Sequence, residues 1–288
     1  MQQLNEVQMS FRTRLGHQVA ALALAAAASI PLQAGAQAGQ TAWASGTWQY
    51  NAMIYGYLPT IGGSTTFPAD SGGTGLDIDA GTIIDHLKMT FMGSLGMHNG
   101  RWGAFTDVLY LNLGANKSQT RDLAVGGIEL PASATADLSY DMKGTIWTLA
   151  GQYRIAAKPD YTMDLVAGAR MFQLKQRLDW SVSGDLGPIV LPGRSGQANL
   201  NDTVWDAVVG VKGRYAFGAN KAWSLPYYLD VGAGESKSTW QGAIGIAYQY
   251  NWGEIGAMWR YIGYDFKSGG AVKEMNFNGP MIGANFRW

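Results

Sequence analysis

A chain of 288 residues that is 47% hydrophobic, only 15% charged and formally neutral offers no basic surface for nucleic acid. Lacking cysteine, it has no disulfides, no thiolate nucleophile and no Cys-ligated metal centre. Its 39 glycines, 11 Trp and 14 Tyr suit many twisted strands facing lipid better than the core of a soluble enzyme.

The chain opens with Arg12 and Arg14 ahead of an alanine-rich apolar run over residues 19–31, followed by the small residues Ala34-Gly35-Ala36. This order predicts a signal peptide over residues 1–36, cleaved after Ala36 or after Ala38. A transmembrane anchor would need about 20 apolar residues, more than this run supplies. Without Glu6, Arg12 and Arg14, residues 37–288 keep 19 basic against 20 acidic groups. Further on, no stretch reaches the roughly 18 consecutive apolar residues of a spanning helix. A membrane role therefore requires a closed barrel, the other architecture that satisfies every backbone hydrogen bond in lipid.

Alternation with period two begins at residues 48–58. There Trp48, Tyr50, Ala52, Ile54, Gly56 and Leu58 share one face, opposite Gln49, Asn51, Met53, Tyr55 and Tyr57. Residues 86–97 set Leu87, Met89, Phe91 and Leu95 against Lys88, Thr90, Met92 and Ser94, and residues 101–113 set Trp102, Val108 and Tyr110 against a row containing Asp107. The pattern continues at 135–155, 161–180, 203–216, 224–232, 238–250, 254–267 and 273–288. The expectation is an all-β fold of about ten strands, with 8–12 possible, closed as an antiparallel transmembrane barrel over residues 37–288. A soluble two-sheet sandwich would share the alternation.

Connections separate the two readings. Short turns are predicted at 98–100, 156–160, 217–221 and 251–253, and long polar loops at 59–85, 114–134 and 181–202. Short periplasmic turns and long extracellular loops are the habit of outer-membrane barrels. Aromatics sort by strand end as well. Trp48, Trp102, Tyr153, Tyr161, Tyr215, Tyr250, Phe286 and Trp288 form the expected girdle at the short-turn end, and Tyr110, Trp205, Trp240 and Tyr261 a sparser one opposite. A sandwich core has no need of aromatics sorted this way.

The last residues, Ile282-Gly283-Ala284-Asn285-Phe286-Arg287-Trp288, alternate apolar side chains and end on an aromatic. Together with the features above, this resembles small bacterial outer-membrane β-barrel proteins across nearly the whole mature chain. Asn99-Gly100-Arg101-Trp102-Gly103, Gly144-Thr145-Ile146-Trp147 and Phe277-Asn278-Gly279-Pro280 are similar to features of a little-characterised group of Gram-negative barrel proteins. The resemblance implies a location in the bacterial outer membrane, contact with its lipid, and handling by the barrel-insertion machinery through the C-terminal strand. It implies no chemistry.

Extending the alternation inward gives a candidate lumen set of Lys88, Arg154, Arg170, Lys212, Arg214, Arg260 and Arg287 with Asp107, Asp164, Asp206, Asp230 and Glu254. Charges in a narrow interior must be paired or wet. They are read either as an ion-pair network that plugs the barrel or as the lining of a slender, anion-favouring water path. A catalytic alternative is a hydrolase at the extracellular rim, where Asp85 and His86 could polarise a water, though no nucleophile motif accompanies them. Asp77, Asp79 and Asp85 lack calcium-loop spacing and read as solvated carboxylates. The expected function is thus structural or surface-contacting, or a narrow passive channel, with no cofactor and no metal site; the sequence leaves the oligomeric state open.

Overall fold

A computed structural model describes residues 46–65, 74–125, 128–186, 189–270 and 272–288. The expected signal peptide at 1–36 and both cleavage positions lie outside the described residues. The elements in chain order are β1 (Gln49–Tyr57), β2 (Thr60–Thr65), β3 (Thr74–Ile78), the short helix α1 (Ala80–His86), β4 (Leu87–His98), β5 (Trp102–Val125) and β6 (Ile128–Ala157). They continue with β7 (Tyr161–Leu186), β8 (Ile189–Phe217), β9 (Trp223–Gly234), β10 (Ser238–Gln249), β11 (Gly253–Asp265) and β12 (Val272–Arg287).

The ladder closes on itself. β1 pairs with β4 from Gln49↔His98 to Ile54↔Gly93 and with β12 from Asn51↔Arg287 to Tyr57↔Met281. After Leu58 and Pro59, β2 carries on along β12, and β3 folds back on β2 as an extra strand. The result is a closed antiparallel barrel of ten strands plus one. Closure matters because an open edge in hydrocarbon would leave backbone donors and acceptors unpaired. Among the described residues no helix is long and apolar enough to cross a membrane.

Alternation fixes which side chains point out. Ile54, Leu95, Val209, Ile244 and Ile282 are each about 60% exposed, and they stand on different strands of one continuous outer surface. Large aliphatic side chains exposed on strand after strand are the pattern of the lipid-facing band of a membrane barrel. At the short-turn end, Asn99 shapes the β4–β5 connection, its Oδ1 accepting from the Arg101 and Trp102 amides. Gly100 takes φ 94°, a conformation that side chains disfavour, so glycine is required there.

Two of the expected long loops are strand instead. β5 and β6 pair out to Val125↔Ile128, and β7 and β8 to Leu186↔Ile189, so 114–134 and 181–202 are mostly ladder. Their neighbours stop earlier, β4 at Leu87↔Leu113 and β9 at Gly234↔Asp206. Above those points β5 to β8 stand as a four-stranded sheet, with roughly 40 Å of strand in the β5 arm alone at about 3.3 Å per residue. The sequence hides this because strands outside lipid need no greasy face, and a polar strand then reads as loop. The third expected loop, 59–85, holds β2, β3 and α1, whose first turn is capped by Asp79 accepting from the Gly81 and Thr82 amides.

The interior has two zones. Towards the tall-hairpin end, Tyr57, Ile61, Ile83, Leu109, Leu111, Met142, Ile146, Phe172, Leu174, Met275 and Phe277 form one apolar cluster. Towards the short turns the inward face carries most of the buried charged and amide side chains, among them Gln152, Asp164, Arg170, Asp230, Gln241 and Arg260, around a small apolar cluster of Phe105, Ala150 and Val166.

Candidate functional site: the lumen network

Arg260 on β11 reaches across the lumen. Its Nη2 donates to Asp107 Oδ2 on β5 at 2.8 Å and to Gln241 Oε1 at 3.2 Å, while Nη1 donates to the Tyr55 hydroxyl at 2.9 Å. Tyr55 in turn donates to Asp107 Oδ1 at 2.9 Å, and Tyr57 donates to the Arg260 carbonyl at 3.0 Å. The guanidinium also lies 5.8 Å from the ring centroids of Tyr55 and Tyr57. A planar donor fork flanked by rings and facing a carboxylate is an arrangement only arginine fills.

Arg170 on β7 pairs with Asp230 on β9, both fully buried, and its Nε donates to Thr148 Oγ1. Asp230 also accepts from Tyr228. Nearer the short turns, Arg154 holds Asp164 through two contacts of 2.6 and 3.1 Å. Glu254 bridges Arg287 at 2.6 Å and Arg214 at 3.3 Å. Asp206 has no basic partner among the described residues; it accepts from the Ser236 amide and hydroxyl, tying the β9–β10 turn to the barrel. Lys212 makes no ion pair among the described residues and sits 4.4 Å from the Phe105 ring centroid.

Lys88 lies elsewhere than the alternation implied. A register shift between Leu87 and Met89 against β5 interrupts the pleat, and the Lys88 ammonium crosses over Gly114 to Asp141 on the outside of the wall. A bulge inserts one residue, and one residue exchanges the two faces. Lys88 therefore leaves the lumen set.

The short-turn girdle residues meet in pairs around the rim. Trp102 packs edge-on to Tyr153, Tyr161 stacks on Tyr227, Tyr250 stacks on Trp252, which in turn meets Phe286, and Trp288 stacks on Tyr50. Trp48 and Tyr215 are exposed on the outer surface. At the other end Trp147 meets Trp205 and Trp240 stacks on Tyr261.

At the rim, His86 closes the last turn of α1 with its Nδ1–H donating to the Thr82 carbonyl at 2.9 Å. Asp79 is held below the usual carboxylate range by the Thr82 backbone amide first, then by the Thr82 hydroxyl. Its carboxylate is thus engaged in capping the helix. No group of three His, Asp or Glu side chains that could hold a metal occurs among the described residues.

The sequence reading missed the apolar zone. Leu109, Leu111 and Leu113 lie on the inward face of β5, with Ile146, Phe172 and Leu174 on β6 and β7. The available signal was a lapse in alternation, since in Val108-Leu109-Tyr110-Leu111 both faces are apolar. Packing there leaves a cavity of about 10 Å³ walled by Ile61, Leu109, Phe172 and Phe277. That is at the lower limit for one water, and an apolar cavity stays dry.

Fold and interior together define a transmembrane β-barrel whose described inward side chains form ion pairs in one zone and a large apolar cluster in the other. No family model matches the chain, and no curated protein matches it. Among solved structures it is similar to the outer membrane protease OmpT from Escherichia coli, at 11% identity and a TM-score of 0.45 over 84% of this chain and 96% of that one. It is similar also to Ail, the attachment invasion locus protein of Yersinia pestis, at 12% identity and a TM-score of 0.31 over 84% and 98%. The translocator domain of the autotransporter NalP from Neisseria meningitidis follows at 15% identity and a TM-score of 0.33 over 84% and 88%.

Proposed function

We propose that the chain is an exported, non-enzymatic protein of the bacterial outer membrane, anchored by a shut barrel and acting through the tall β5–β8 sheet at the cell surface. The observation that carries this reading is the stacking of two seals in one lumen. Arg260, Asp107 and Tyr55 span the barrel in its charged zone, and above them Ile61, Leu109, Phe172 and Phe277 pack together within the buried apolar cluster. An ion crossing that layer would shed its hydration with nothing to replace it. Purified protein in planar bilayers is therefore expected to show conductance indistinguishable from bare lipid. Discrete, ion-selective channel openings by the wild type would overturn the shut-barrel reading in favour of a narrow passive pore.

Location and orientation belong to the same proposal. The basic stretch and apolar run before Ala36 support export, and the tall β5–β6 and β7–β8 hairpins opposite an end of short turns support an outward-facing sheet, although the β9–β10 and β11–β12 connections on the tall side are short. The natural chain has no cysteine, so single thiols are clean reporters. A cysteine at exposed Ser195 is expected to react with an impermeant reagent on intact cells, and one at exposed Lys158 only after the outer membrane is opened. Reversed labelling would invert the orientation, and equal labelling at both sites would remove the membrane assignment. The rim-hydrolase alternative draws no support from α1, where His86 bonds its own helix.

A further inference from the structure

The outer face of the tall wall changes character row by row. In register across β5, β6, β7 and β8 the rows read Thr106, Leu149, Ala169 and Ala207, then Val108, Trp147, Met171 and Trp205, then Tyr110, Thr145, Gln173 and Thr203. The next is Asn112, Lys143, Lys175 and Asn201, and above it stand Gly114, Asp141, Arg177 and Asn199. Hydrocarbon gives way to indole, then to hydroxyl and amide, then to charge. Tryptophan marks the membrane interface, so the lysine row, about 13 Å further along the strands, falls at the depth of lipid headgroups.

Lys143 and Lys175 are direct cross-strand partners, and both are exposed. Opposed residues in an antiparallel pair have Cβ atoms about 5 Å apart, and like charges there repel. The neighbouring carboxylates are already engaged, Asp141 by Lys88 and Asp179 by Arg177 at 2.7 Å, and neither lysine has an ion pair among the described residues. A repulsive pair held between two asparagines, at the one depth where the surroundings are rich in anionic phosphate, is accounted for by a phosphate lying between the ammonium groups.

We propose that Lys143 and Lys175, flanked by Asn112 and Asn201, form a binding site for the phosphate monoester of a membrane-lipid headgroup. Two unpaired ammonium groups match a monoester, which carries close to two negative charges at neutral pH, better than a singly charged diester. Asn112 and Asn201 supply amide donors on either side. The inference rests on the reading of this wall as membrane-embedded, and it gives the barrel a lipid ligand on its outside while its lumen stays shut.

The test uses full-length folded protein in zwitterionic micelles, alone or doped with phosphatidic acid, a monoester, or phosphatidylglycerol, a diester. Bound lipid is read by native mass spectrometry and stability by the midpoint of the heat-induced mobility shift. Phosphatidic acid is expected to be retained in preference to phosphatidylglycerol and to raise the midpoint. With a surface lysine giving about fivefold in affinity, Lys143→Gln with Lys175→Gln should weaken retention by roughly 25-fold. The sign of the single variant separates binding from packing. Lys143→Gln should leave the midpoint unchanged or higher in undoped micelles, where it only relieves repulsion, and lower it in phosphatidic acid. Equal retention by wild type and double variant, or a lowered midpoint in both micelles, would overturn the site. Equal retention of both lipids would overturn the monoester assignment, and equal protection by millimolar inorganic phosphate would overturn the lipid as its source. A wild type with no heat shift at all would overturn the membrane reading, and this proposal with it.

Discussion

Arg260→Met is expected to destabilise the barrel by about 3–5 kcal/mol, the usual penalty for removing one partner of a buried ion pair. The side chain is 5% exposed and its partner Asp107 15%, so solvent screening is slight. Methionine would replace the volume and keep contact with the Tyr55 and Tyr57 rings. It would leave Asp107 with the Tyr55 hydroxyl as its remaining donor and leave Gln241 Oε1 without its donor. Arg260→Lys should fall between wild type and Met, because a point charge cannot serve Asp107, Tyr55 and Gln241 in one geometry. The measurement is the denaturant or heat midpoint of the unboiled, fast-migrating form. Conductance of the variant should stay at the bare-lipid level, since the apolar zone above is untouched. A variant with wild-type stability but new channel openings would mean that Arg260 gates a water path and that the apolar zone does not seal it.

Different physical constraints made different parts legible from sequence. A strand inside lipid must show one greasy face, and a one-residue slip would expose every polar side chain, so segments such as β1, β4 and β11 announce their limits within a residue or two. Aromatic positions were legible for the same reason, since Trp102, Tyr250 and Trp288 are exposed on the outer face at the short-turn ends of their strands. The projecting parts of β5 to β8 pair along their ladder, and nothing in the sequence around Asn116 or Asn199 distinguishes a polar strand from a polar loop. Lys88 was misplaced by a bulge, a backbone irregularity without a compositional mark. Which charges would pair was beyond alternation altogether. Parity puts Asp107 and Arg260 on the inner face, but only closure of the barrel brings β5 opposite β11, 153 residues apart in the chain.

The second large effect concerns Arg170 and Asp230, both with 0% side-chain exposure. Arg170→Met alone should cost about 3–5 kcal/mol, because Asp230 would keep its charge with only the Tyr228 hydroxyl to answer it. Asp230→Leu alone should cost a similar amount, leaving a guanidinium whose remaining partner is Thr148. The double variant is expected to recover most of the loss, ending near wild type or above it, since replacing a buried pair by apolar side chains is often neutral or stabilising by about 1–4 kcal/mol. Phe172, two residues along β7 from Arg170, and Val208, cross-strand from Gly168 and Gly232, are both buried and apolar on the same inner face as the pair. A thermodynamic cycle over the four proteins then gives a coupling of several kcal/mol, well above the few tenths typical of independent sites. If the pair instead lines a wet passage, water would screen each charge left behind. Each single change would then cost no more than the roughly 0–1 kcal/mol of an exposed pair, and the coupling would vanish. That outcome, measured on the same unfolding midpoints, would replace the ion-pair plug by an aqueous lumen at this level of the barrel.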